Sequence, residues 1–210
     1  MKSLITILLS SLFIISCDSN KDFLVLPPLF SDHMVLQQKT LVSFWGKSAP
    51  NDNIQIIGSW GETSNVKSDE QGNWELKLST PKAGGPYKVR INDSKTSIIY
   101  KDVLIGEVWL SSGQSNMEMT LSGNNREPVI GSLDAIANSN NSKIRFFNVK
   151  EKVSKERISN VEGEWLQANF KNTPNFSAVA YSFAKYLNQV LDIPFGIINS
   201  PNDGSVAEAW

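Results

Sequence analysis

Ser111-Ser112-Gly113-Gln114-Ser115-Asn116 is a short polar run between an apolar stretch, Val103 to Leu110, and Met117-Glu118-Met119. A serine hydroxyl attacks a carbonyl when a base takes its proton and backbone N–H groups face the oxyanion that forms. A turn from strand to helix meets the second condition, because it lifts the side chain above the carboxyl edge of a sheet beside unpaired N–H groups. Gly113 permits such a tight turn and makes Ser115 a better placed candidate than Ser111 or Ser112. The same residues are equally good helix-capping chemistry, so catalysis needs partners elsewhere in the chain.

Partners are scarce. The 210-residue chain has one histidine, His33, in its N-terminal part, where it reads as a surface or packing residue. Glu118 lies one helical turn from Ser115, but a free carboxylate is a poor base toward a serine hydroxyl, and a solvated helix position is the simpler reading. Asp32 and Glu107 read as turn and packing residues. No His/Cys/Asp cluster has metal-ligand spacing, and "KAGGP" and "DEQGN" lack the Lys-Ser/Thr that completes a phosphate loop, so neither metal, nucleotide nor other cofactor is expected. A formal net charge of −1 without a basic stripe gives no footprint for nucleic acid. Six Trp and ten Phe suit cores, and their flat faces also suit sugars.

The elements that must position Ser115 fall into two parts. Residues 23–102 read as an antiparallel, sandwich-like β domain, with "LVSFWG", "NIQIIGSW", "WELKLST", "YKVRIN" and "SIIYKDV" separated by the turns "SAPND", "DEQGN" and "KAGGP". Trp74-Glu75-Leu76-Lys77-Leu78 alternates as a strand with one wet face does. From residue 103 to 210 single apolar strands ("VLIGEVWL", "KIRFFNV", "PFGIINS") alternate with helical segments, which points to an α/β unit on a parallel sheet. In "SAVAYSFAKYLNQVLD", Ser177 is the expected N-cap, and Val179, Phe183, Leu187 and Val190 or Leu191 are the expected buried stripe. Residues 120–142 hold a loop and one short helix.

The N-terminus carries an export pattern. Lys2 precedes an apolar segment, Leu4 to Ile15, too short to span a bilayer comfortably. Ile14-Ile15-Ser16-Cys17 resembles the bacterial lipobox, with residues 1–17 as a signal cleaved before Cys17 and a lipid attached there; a plain cleaved signal with an incidental cysteine is the alternative. Cys17 is the chain's one cysteine, so no internal disulfide forms and the fold rests on its core. An exported protein held on a bacterial membrane, periplasmic or at the cell surface, is the expected setting.

"GEVWLSSGQSNMEM" resembles the nucleophile block of the sialate O-acetylesterase family, carbohydrate esterases of the SGNH-hydrolase type. "PLFSDHMVLQQ", "FSAVAYSFAKYL" and "PFGIINSPNDGSVAEAW" are similar to further blocks of that family, in family order. The resemblance implies a β-rich domain followed by the first part of a three-layer α/β/α domain. It implies Ser115 as nucleophile toward an acetyl ester of a sugar, with backbone N–H groups of Ser115 and Gly204 as oxyanion donors. Two departures stand out. The family's Ser-Trp-Gly-Gly-Thr loop reads "SPNDGS" here, so Asn202 replaces Trp and Asp203 replaces the first Gly, and a carboxylate there opposes an oxyanion. The family's Asp-x-x-His and Gln-Gly-Glu-Ser-Asn blocks are absent, and the chain is expected to be the N-terminal part of a longer esterase. A non-catalytic glycan-binding surface lipoprotein and an inactive truncated product are the alternatives.

Overall fold

A computed structural model describes residues 24–207 apart from 125, 153, 157 and 159. Cys17 and the export pattern lie outside the described residues. The fold is mixed α/β, with ten strands, three short or medium α-helices and one 3-10 turn, Thr173–Asn175, among the described residues.

In the first part β1 (Val35–Gln37), β2 (Leu41–Lys47), β3 (Asn53–Gly58), β4 (Thr63–Lys67), β5 (Asn73–Ser79) and β6 (Gly84–Asn92) follow one another through tight turns. β2 and β5 form an antiparallel ribbon. β4, β3 and β6 are antiparallel members of the larger sheet. The inward residues of the ribbon, Phe44, Trp74, Leu76 and Leu78, share one core with Ile54, Ile56, Val89 and Ile91 of that sheet. Alternation in the sequence has become one dry and one wet face per strand.

β7 then runs without a break from Ser97 to Gly113. The boundary expected between residues 102 and 103 therefore falls inside a single strand. Its first half pairs antiparallel with β6, and its second half pairs parallel with β10 (Phe195–Pro201). The register shifts near Tyr87 mark a bulge where Asp102 takes φ +52°. Beyond β10 lie β8 (Asn141–Asn148), parallel to it, and β9 (Trp165–Ala168), giving the order β4-β3-β6-β7-β10-β8-β9 with β1 beside β7.

Two short helices, α1 (Ser115–Glu118) and α2 (Ser132–Ala137), precede β8, and α3 (Ala178–Leu191) precedes β10. Ser177 caps α3, its side chain accepting the Ala180 N–H. The buried face of α3 is the expected one only at Leu187, which packs in part against the core. Ala178, Ala180, Tyr181, Ala184 and Asn188 are buried, whereas Val179, Phe183, Val190 and Leu191 are exposed. Small side chains let the helix lie close against Phe146, Phe195 and Ile197 of the sheet, so close approach outweighs the larger apolar stripe.

Candidate active site

Ser115 opens α1 directly beyond the carboxyl end of β7 and is exposed. Gly113, at φ +149°, makes the turn that sets it there, and a Cβ on Gly113 would stand 3.1 Å from the Met117 Cβ. Gln114 precedes the helix without a side-chain cap bond, so the capping reading of "SSGQSN" does not describe this turn. α1 is anchored from behind: the Ala178 N–H donates to the Met119 carbonyl and the Leu121 N–H to the Phe176 carbonyl, each at 2.8 Å.

The loop after β10 folds against the same turn. The Asn202 N–H donates to the Gly113 carbonyl at 2.8 Å, and the Asp203 N–H donates to Glu118 Oε2 at 2.9 Å. Glu118 is thus a clamp on this loop rather than a merely solvated residue. Gly204 sits exposed with φ +67°, and its missing Cβ would meet open space, so glycine is favoured there by backbone conformation and not by crowding. Asp203 spends its own N–H on Glu118 and is exposed. The arrangement brings Ser115 and Gly204 onto adjoining loops at one edge of the parallel strands.

Beneath the turn lies a polar relay that sequence reasoning missed. Ser111 Oγ donates to Asn199 Oδ1 at 2.7 Å, and Asn199 Nδ2 donates to Asn148 Oδ1 at 3.3 Å. Ser112 Oγ donates to the Ser200 carbonyl. These bonds tie together the carboxyl ends of β7, β10 and β8, and Asn199 is buried. The signal in the sequence was a polar residue closing each strand, in "FFN" and "IINS". A cleft of about 230 Å³ opens beside the relay, bordered by Ser112, Lys150, Glu162 and Asn202.

His33 lies at the other end of β7. Its Nδ1 is 2.7 Å from Asp102 Oδ2, and Asp102 also receives Arg145 Nη2 at 3.0 Å and Gln167 Nε2 at 2.9 Å. Burial pushes the Asp102 carboxyl up, but the bonds from His33 and Arg145 and the Arg145 charge outweigh it, holding the group below the usual carboxylate range. At a strand's rise per residue, Asp102 is roughly 35 Å along β7 from Gly113. His33 is therefore a packing partner and no base for Ser115. Asp32 accepts the Lys101 N–H, and Glu107 accepts from Gln37 and Gln38, so both serve structure. Among the described residues no group of three or more His, Cys, Asp or Glu could hold a metal ion.

No protein-family model matches the chain. The sialate O-acetylesterase of Mus musculus is 28% identical over 197 residues, covering 85% of this chain and 36% of its own length. The human sialate O-acetylesterase is 27% identical over 202 residues, covering 86% and 37%. A solved carbohydrate acetylesterase from Xanthomonas citri superposes with a TM-score of 0.82 at 37% identity, covering 89% of this chain and 42% of its own. The chain is similar to sialate O-acetylesterases and to a carbohydrate acetylesterase over most of its own length. It spans a little over a third of the length of the curated relatives it matches. The large mixed sheet with few helices is similar to that of the Xanthomonas citri chain.

Proposed function

We propose that this chain carries the nucleophile and part of the oxyanion site of a serine-dependent carbohydrate O-acetylesterase of the SGNH-hydrolase type. The observation that carries the reading is Ser115 on a glycine-permitted turn at the carboxyl end of β7, in a chain that superposes on a carbohydrate acetylesterase. Ser115 Oγ attacks the acetyl carbonyl, the developing oxyanion faces the Ser115 and Gly204 N–H groups, and the sugar hydroxyl leaves. Water then releases acetate from the acetyl-enzyme. The Ser115 proton goes to a base from the part of the relatives' length that this chain does not span, since His33 is remote and Glu118 holds the Asp203 N–H. Sialic acid and other acetylated glycans are the candidate substrates. On its sequence pattern Cys17 bears the lipid that holds the protein at a bacterial membrane, and Cys17→Ser is expected to move it to the soluble fraction.

The test is hydrolysis of p-nitrophenyl acetate and release of acetate from acetylated glycans. The chain is assayed alone and joined to the remaining portion of the Xanthomonas citri relative, each with and without Ser115→Ala. The joined protein is expected to lose activity by about a hundredfold or more on Ser115→Ala, the order of contribution of an activated nucleophile and its base. Equal rates for the two joined forms overturn the assignment of Ser115. A Ser115-dependent rate in the chain alone overturns the placement of the base.

A further inference from the structure

Across the β2–β5 ribbon, residues directly opposite one another share a face, and so do residues two apart along a strand. Trp45 stands opposite Glu75 and Lys47 opposite Asn73. Four side chains of different chemistry, an indole, a carboxylate, an ammonium and a carboxamide, therefore occupy the outer face of one short ribbon. They border a cleft of about 450 Å³, whose wall includes Trp74 and Asn160.

Several of these groups are held in place. Trp45 packs edge-on against Phe30, with ring centroids 4.8 Å apart. Asn73 is fixed by Asp69, whose Oδ1 accepts the Asn73 N–H at 2.7 Å and whose Oδ2 accepts Asn73 Nδ2 at 3.1 Å. Trp74, on the inward face, packs over Gly46 opposite it, where a Cβ would stand 2.7 Å from the Trp74 ring, and its edge borders the cleft. Trp74 is 4% exposed, and its indole N–H has no acceptor among the described residues. A buried orphan donor costs stability unless a ligand or solvent oxygen meets it.

We propose that this cleft is a subsite for a neutral polysaccharide chain. A pyranose ring offers an apolar C–H face to Trp45 and equatorial hydroxyls to Glu75, Asn73 and Lys47, the mixture of one flat apolar wall and a few fixed polar groups that such sites require. Charge selects against sialylated chains, because Lys47 is outnumbered by Asp69 and Glu75 around the cleft. Asn160 borders this cleft and also the one beside Ser112 and Asn202, and Trp45 and Asn160 both border the cavity between them. A chain held at Trp45 thus runs toward the Ser115 turn. Only that last connection rests on the esterase reading; binding itself does not.

The experiment is affinity gel electrophoresis of the protein through glucomannan, xylan, hydroxyethyl cellulose and polysialic acid, a readout that requires no turnover. At least one neutral polymer is expected to retard the protein and polysialic acid to leave it unretarded. Trp45→Ala is expected to weaken that binding about tenfold, and Glu75→Ala by a smaller factor, with Trp109→Phe on the other side of the sheet as control. Melting curves establish that each variant is folded; if Trp45→Ala is not, Trp45→Leu and Glu75→Ala carry the test. Retardation by polysialic acid alone, by none of the polymers, or unchanged in the folded Trp45 and Glu75 variants overturns the proposal. In the joined protein, loss of acetyl hydrolysis in Ser115→Ala with retardation absent supports the esterase and sinks the subsite, and the reverse pattern does the opposite.

Discussion

The carboxylate of Glu118 fixes the loop that carries Gly204, and it does so with an acceptor oxygen rather than with its charge alone. Glu118→Gln keeps an oxygen for the Asp203 N–H, whereas Glu118→Ala removes it. Hydrogen exchange at the Asp203 amide is expected to quicken about threefold to tenfold in Glu118→Ala and little in Glu118→Gln, since a net hydrogen bond is worth about 1 kcal/mol; equal exchange in all three forms would show that the bond does not hold the loop. At the far end of β7 the same kind of reasoning gives a pH dependence. The Asp102 carboxyl is held below its unfolded value, so its stabilisation is complete above about pH 4 and is lost as pH falls through the lower folded value. Asp102→Asn keeps a residue tolerant of φ +52° but leaves the buried Arg145 without its counter-charge, a change costing about 3 kcal/mol at neutral pH. Urea unfolding of both forms from pH 6 to pH 2 checks this: the difference should shrink below pH 4, and a constant difference refutes the linkage. Ser115 and Gly113 were legible because a local turn announces itself through adjacent residues. The Glu118 clamp was not, because its partner lies 85 residues away, and no local pattern reports such a bond.

Helix α3 shows how an element can be found correctly and turned the wrong way. Its limits and its Ser177 cap follow from local chemistry, and both were legible in "SAVAYSFAKYLNQVLD". Which face is buried depends on how near the sheet lies, and at Ala180 and Ala184 it lies close. Enlarging the buried side should therefore hurt and altering the larger residues should not. Ala184→Leu is expected to destabilise by about 1–3 kcal/mol through overpacking, while Val190→Gln stays within about 0.5 kcal/mol. Chemical denaturation midpoints decide the matter, and the opposite ranking would restore the Val179, Phe183, Val190 face as the packed one. The strands follow the same division. Runs with strong alternation, such as those of β5 and β6, were visible in sequence, whereas β1, β4 and β9 are three to five residues long and exist by pairing with neighbours.

β7 joins in one sheet the two parts that the sequence separates by composition. Its antiparallel half belongs to the β-rich part and its parallel half to the part that carries Ser115, with Gly106 at the seam. A Cβ at Gly106 would stand 2.0 Å from the Pro194 carbonyl oxygen, a backbone atom that cannot move without shifting the start of β10. Other contacts cross the same seam: Trp165 Nε1 donates to the Leu29 carbonyl at 2.8 Å, Arg145 Nη1 to the His33 carbonyl at 2.8 Å, and Phe147 and Trp165 lie in the core shared with Phe44 and Ile91. Two independent domains joined by a linker would have no such shared core. Hydrogen exchange followed by mass spectrometry through a urea series should accordingly give the same midpoint for peptides from β3 and from β10. Gly106→Ala should lower both midpoints together, by about 2–4 kcal/mol, because the clash is with backbone and must be relieved by moving a strand. If the β10 peptide alone loses protection, the seam is local and the β-rich part stands by itself. If both fall together, the turn of Ser115 is held in position by a sheet that begins in the β-rich part, at β4, and the edge that carries Ser115 cannot be separated from it without loss of order.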